Sequence, residues 1–295
     1  MERHQQQLAE LEQAIKHNPE DVKAIAHRGE VYRLMGRYEE ALADFAQAIK
    51  LKPEYYWAIA HRGEIYYQRE EYEKALADFN RALQLEPDYL WAIAHRGATY
   101  EYMRHYEEAI ADLNRALAIK PDYSWAFAHR SRTYEQMKLY EQALADFDQA
   151  IALDQNVVKA WKRERGLLLS FLGRYAESVE YYEQSLQENP EDYFGLYGLV
   201  STKACWQGLA ETQSQINETR QLFLSLTNTE AAGIALYGLG GLAALESKVD
   251  EALNYLQEAI ALDDYRADTA NHDRVWLPFY THSQFQALIS HVVKS

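Results

Sequence analysis

Pro19, Pro53, Pro87 and Pro121 recur at a constant step of 34 residues, and no other feature of this 295-residue chain so limits the folds open to it. Three more registers keep the step: Tyr32, Tyr66, Tyr100 and Tyr134; Tyr38, Tyr72, Tyr106 and Tyr140; Ala41, Ala75, Ala109 and Ala143. A fixed period of this length marks a stacked-repeat architecture. Between the prolines the apolar spacing predicts two helices per unit, one from about the residue after Pro to Leu34 or its equivalents, the other from Tyr38 to Leu51. The next Pro stops the second helix.

The registers have a packing logic. Small residues, Gly29, Gly63 and Gly97 in the first helix and Ala41, Ala75 and Ala109 in the second, let two backbones approach, while Phe45, Phe79, Leu113 and Phe147 fill the seam. The tyrosine registers are assigned to the core. One such hairpin cannot bury its apolar faces, so neighbours must stack. The expected fold is all-α, a right-handed α-solenoid of antiparallel helix pairs.

These residues resemble the tetratricopeptide repeat. Its pattern of large apolar residue, Gly, Tyr, Ala, Phe, Ala and Pro stands here as Ile59, Gly63, Tyr66, Ala75, Phe79, Ala82 and Pro87, and again from Ile25 to Pro53 and from Ile93 to Pro121 with Leu113 for Phe. The fourth unit has Ser131 for Gly and Gln155 for Pro. A fifth runs from Trp161 to Pro190, with Gly166, Gly173 and Tyr175 one residue late, which predicts a bulge between Trp161 and Arg165. Residues 1–190 are therefore read as the regular array, opening with a half repeat at Leu8, Leu11, Ala14 and Pro19. Residues 191–295 are read as worn units, continuous with the first part. Equivalent starts at Tyr193 and Gly233 lie 40 apart, so that unit should have longer helices or a longer loop. Trp276, Phe279, Phe285 and Leu288 are expected to cap the end.

Four units carry consecutive Ala, His and Arg, at 26–28, 60–62, 94–96 and 128–130, with an Asp 16 residues beyond each Arg. In the unit where Leu239 replaces the Arg, Tyr255 replaces the Asp. An Arg to Asp bridge across each of the first four hairpins follows, since the fork of Arg suits a carboxylate. The histidines point elsewhere, because adjacent helical residues diverge by about 100°. The resemblance places an inner wall at Trp57, His61, Glu64, Tyr67, Trp91, His95, Tyr102, Trp125, His129 and Arg132, and implies that a peptide binds there. His61 and its mates fall where some members of the family resemble a ladder of asparagines gripping a peptide backbone, and imidazole can also donate and accept. Neutral imidazoles in that role would make affinity vary between about pH 5.5 and 7.5. A His and Trp repeated by duplication also pack without touching a ligand, so both readings stay open. The family's clamp for acidic chaperone tails needs Lys and Asn on this wall, where only Lys23 and Arg132 are basic.

A formal charge of −15 argues against nucleic acid and anionic membranes as partners. The single cysteine, Cys205, excludes an internal disulfide and a cysteine-based zinc site. With no apolar leader at Met1 to Gln7, a cytoplasmic location is expected. Equivalent histidines in stacked hairpins lie roughly 10 Å apart, too far to converge on one metal ion. His272, His282 and His291 lack ligand spacing and are read as surface residues. Gly238, Gly240 and Gly241 follow no strand and are read as close packing. With no catalytic motif and no cofactor signature, the expected function is non-enzymatic: a protein-interaction scaffold holding a peptide segment of a partner in its groove. Two alternatives stand beside it. One is a self-associating solenoid, a homo-oligomer joined through exposed ends such as the Leu8, Leu11 and Ile15 face. The other is a sensor or docking arm of a larger signalling or defence assembly.

Overall fold

The computed structural model describes residues 2–154 and 162–290, and every regular element among them is helical. The fold is an all-α solenoid of consecutively packed helix pairs, in two compact units that part after Thr133. In the first unit, α1 (Glu2–His17) packs on the hairpin α2 (Val22–Leu34) and α3 (Tyr38–Leu51). The hairpins α4 (Tyr56–Gln68) with α5 (Tyr72–Leu85), and α6 (Leu90–Tyr102) with α7 (Tyr106–Ile119), follow. Helix α8 (Ser124–Gln136) runs across the division. The boundary expected after 190 separates regular from worn repeats and is a different division from this one.

First helices start three residues after each Pro rather than one. Lys52, Glu86 and Lys120, each just before a Pro, have φ near −135° and ψ near 90°. The steric demand of the Pro ring moves the preceding residue out of the helical region, so the Pro belongs to the turn. At the other turn, Gly36, Glu70, Arg104 and Lys138 repeat a left-handed conformation with φ between 60° and 73°. Gly36 N donates to Arg33 O and Arg37 N to Tyr32 O, a pair of bonds that satisfies carbonyls left over at the end of α2.

The seam is as tight as the small residues imply. Ala41, Phe45, Ala75, Phe79, Ala109 and Leu113 are fully buried. A Cβ on Gly63 would sit 3.1 Å from the Phe79 ring, and one on Gly97 3.0 Å from Leu113 Cγ. The tyrosine registers are less buried than expected. Tyr32 and Tyr140 are in the core, whereas Tyr66, Tyr72, Tyr100 and Tyr106 are half-buried. The bridges form within the first unit: Arg28 to Asp44 (2.8 and 2.7 Å), Arg62 to Asp78 (2.7 and 2.6 Å) and Arg96 to Asp112 (2.6 and 2.7 Å), each two-pronged. Arg130 and Asp146 fall on opposite sides of the division. Leu8 is buried, and Leu11 and Ile15 are half-buried against the same core, where α1 packs on α2.

The second unit holds α9 (Tyr140–Leu153), α10 (Lys162–Phe171), α11 (Tyr175–Glu188), α12 (Tyr193–Gln207), α13 (Leu209–Leu226), α14 (Ala232–Leu245) and α15 (Val249–Leu262). The six extra residues lengthen α12 and α13, which meet at Gly208. Here glycines form sockets for rings. Cβ atoms on Gly166 and Gly198 would overlap Tyr182, one on Gly238 would overlap Phe223, and one on Gly241 would overlap Tyr197. Leu239 is buried and Tyr255 packs against the same core, so apolar residues stand in place of the bridge. Helix α16 (Tyr265–Asn271), the 3-10 helix Arg274–Phe279 and α17 (Ser283–Ser290) close this core, with Trp276 and Phe285 fully buried and their rings 5.7 Å apart. His272 is buried rather than on the surface, drawn into this closing layer between α16 and the 3-10 helix. The expected bulge between Trp161 and Arg165, and His291, lie outside the described residues.

Candidate interaction surface

Each Trp of the wall sits four residues before a His on the same helix, so their rings meet on one face. The centroids of Trp57 and His61 are 4.0 Å apart, those of Trp91 and His95 3.8 Å, and those of Trp125 and His129 3.9 Å. The next helix then adds its Trp to the open side of the preceding His, at 4.4 Å for His61 and Trp91 and 4.7 Å for His95 and Trp125. His27 meets Trp57 edge-on at 5.3 Å and begins the column. Phe45 and Phe79 back it from the seam. One continuous column of alternating indole and imidazole thus joins four successive first helices.

The imidazole edges have partners inside the protein. His61 Nδ1 lies 3.1 Å from Glu30 Oε2, His95 Nδ1 2.9 Å from the Trp91 carbonyl, and His129 Nδ1 2.6 Å from Glu101 Oε2. All three histidines are buried. Burial lowers the His61 pKa against the pull of Glu30, and lowers that of His95 to about 3. The expected titration between pH 5.5 and 7.5 therefore does not apply to His95, because a desolvated imidazolium is too costly, and at His61 burial acts in the same direction.

A charged cluster flanks the column. Arg33 joins Glu30 (2.8 Å) to Glu64 (2.8 Å), and Gln68 donates to the same Glu64 oxygen at 3.1 Å. Burial would raise the Glu30 pKa, but hydrogen bonds from Arg33 and His61 outweigh it and hold the carboxyl at about 2. Glu64 differs: burial, reinforced by Glu30, pushes it up to about 7 despite Arg33, and its Oε2 is buried without a partner. Farther along, the Tyr67 and Tyr72 rings lie 5.6 and 5.8 Å from that of Tyr102, and Arg132 lies 5.1 Å above it. Arg132 also reaches Glu101 at 3.2 Å.

The ten expected residues are thus brought together on one wall, but unequally. His61, His95, His129 and Glu64 are buried, the tryptophans, Tyr67 and Arg132 are half-buried, and Tyr102 is 43% exposed. Glu30 and Arg33 were missed, although they hold His61 and Glu64 in place. Their signal was the shared register, since Glu30 and Glu64, like His27 and His61, stand one period apart. Among the described residues no cluster of His, Cys, Asp or Glu could hold a metal ion, and no helix is long and apolar enough to cross a membrane.

A hairpin solenoid with this seam defines a class of helical repeat proteins built to present a wall of side chains. Profiles described as tetratricopeptide repeat match residues 63–132, and 126–157 with 164–192, and one described as TPR repeat matches 29–68. The chain belongs to the tetratricopeptide repeat family, whose fold serves as a protein-interaction scaffold. A comparison with curated proteins gave no match. Among solved structures, a tetratricopeptide repeat protein from Parabacteroides merdae is similar, with a TM-score of 0.64 at 17% identity, covering 93% of this chain and 99% of its own. PilF of Pseudomonas aeruginosa has a TM-score of 0.56 at 20% identity over 68% of this chain and 91% of its own. YrrB, described as a TPR protein with an unusual peptide-binding site, has 0.52 at 19% over 63% and 96%. At these identities the likeness concerns the fold.

Proposed function

We propose that the chain is a non-enzymatic scaffold and that its first unit receives a peptide segment of a partner protein on the wall of Trp57, Trp91, Trp125, Tyr67 and Tyr102. The continuous Trp and His column carries this reading. Rings packed at centroid distances of 3.8 to 4.7 Å, with each imidazole Nδ1 already bonded, form a rigid, largely apolar platform that loses little entropy on binding. The histidines act as spacers that fix the tryptophans, and the half-buried indole edges, Tyr102 and Arg132 supply the contact. Aromatic and Arg side chains are the usual anchors of such surfaces. YrrB, similar in fold, has a peptide-binding site by its description, which agrees with this assignment.

Selection from a displayed peptide library tests it. Peptides enriched on the wild type should bind Tyr102→Ala at least tenfold more weakly, and should bind a variant at exposed Leu262 in the second unit as well as they bind the wild type. Equal binding to all three proteins would overturn the assignment.

A further inference from the structure

The second unit contains a cavity of about 450 Å³ that lies away from the Trp and His wall. It forms where the C-terminal part of α12, the turn from α14 to α15 and the 3-10 helix meet. Leu245, Val249, Val275 and Phe279 give it apolar walls, and the residues lining it include Arg274 and His282 but no Asp or Glu. In a chain of charge −15 such a lining stands apart. The volume is in the range of small-molecule sites, which are mostly apolar with a few convergent polar groups.

Those polar groups are available. Arg274 donates through Nη1 to the Phe171 carbonyl at 3.0 Å and lies 5.4 Å over the Tyr175 ring, which anchors the guanidinium and leaves its other N–H groups uncommitted. At Cys205 burial and, after it, the Asp273 carboxylate push the thiol up, and Arg274 opposes them. His282 lines the same cavity, and its Nδ1 is buried without a partner. Behind the wall, Asp273 accepts from Tyr197 (2.7 Å), Tyr237 (2.8 Å) and the Val275 amide (3.0 Å), so its carboxyl is satisfied by the core and does not compete for Arg274.

We propose that this cavity binds a free medium-chain aliphatic carboxylate, with the alkyl chain among Leu245, Val249 and Phe279 and the carboxylate on Arg274 and His282. Apolar walls beside a cation whose neighbouring carboxylate, Asp273, is held by core donors fit a ligand that is apolar along its length and anionic at one end.

The sole cysteine gives a direct readout, because Cys205 lines the cavity. Alkylation of Cys205 by iodoacetamide should slow saturably with decanoate, kept below its micelle concentration. From hexanoate upward, affinity should rise roughly fourfold per methylene until the chain outgrows the space. Decylamine and decanol should bind at least about tenfold more weakly, and Arg274→Gln should lose a similar factor for decanoate. Val249→Trp at the exposed rim should block binding while leaving the unfolding temperature near that of the wild type, so loss of binding is read in a folded protein. The proposal is overturned if no acid protects Cys205, if the amine and alcohol protect as well as the acid, or if Val249→Trp binds like the wild type. It is equally overturned if a peptide with a C-terminal leucine carboxylate binds more tightly than decanoate, which would make the cavity a docking site for a protein terminus.

Discussion

The guanidinium of Arg62 grips both carboxylate oxygens of Asp78, at 2.7 and 2.6 Å, across the two helices of one hairpin. Asp78 is buried and Arg62 half-buried, so removing the cation alone strands a desolvated anion. Arg62→Leu should therefore cost about 3 kcal/mol. The double variant Arg62→Leu with Asp78→Tyr copies the pair Leu239 and Tyr255 and should cost clearly less. Urea denaturation of the wild type and these two variants measures this, and equal losses for the single and double variants would refute the coupling.

The repeated left-handed turn gives a second prediction. Only Gly36 and Gly173 among its equivalents suit the conformation, whereas Arg104 and Lys138 adopt it at φ near 60°. Arg104→Gly and Lys138→Gly should each stabilise by about 0.5–1 kcal/mol, and Gly173→Ala should cost about 1 kcal/mol. Opposite signs in thermal melts would show that the turn is unstrained.

The pH dependence is set by the charged cluster. Glu64 has a folded pKa of about 7, above its usual 4.5, so it favours the folded state fully below about 4.5 and progressively less as pH rises to about 7. The loss across that window is at most about 3 kcal/mol. Glu30 acts oppositely: its depressed pKa of about 2 gives stability above 4.5 that is lost as pH falls through 2. Glu64→Gln should flatten the decline between pH 4.5 and 7 in urea denaturation. Over the same range the ring-proton resonances of His95, held at about 3, should stay fixed. A steep decline in the Gln variant, or a titrating His95, would contradict these assignments.

In the second unit, Gly198→Ala would drive a methyl group into the buried Tyr182 ring. It should destabilise by about 3 kcal/mol or more, and replacing Tyr182 with Phe should not relieve it, because the methyl meets the ring carbons. Differential scanning calorimetry on the two variants and their combination tests this.

The hairpins, their seam and the Arg62 and Asp78 pairing were legible in the sequence because each depends on residues at a fixed offset within one unit. The column was half legible. Trp57 and His61 share a helical face, but the stacking of Trp91 on His61 is a contact between neighbouring first helices whose geometry depends on how hairpins dock. Glu64 was placed on the wall and Glu30 shares its register one period earlier, but the bridge that Arg33 makes between them crosses from one hairpin to the next and emerged only from the fold. His272 was misjudged for the opposite reason. The closing layer around Trp276 has no repeat to calibrate it, and a polar residue there reads as surface until the core over it is seen.

The central claim is that the column of rings in the first unit is the recognition platform. Fluorine NMR of the protein labelled with 5-fluorotryptophan tests it most directly, using a peptide selected on the wild type. The resonances of Trp57, Trp91 and Trp125 should shift saturably on titration while those of exposed Trp206 and buried Trp276 hold still. A binding peptide that leaves the three column tryptophans unmoved would place recognition elsewhere and contradict the account.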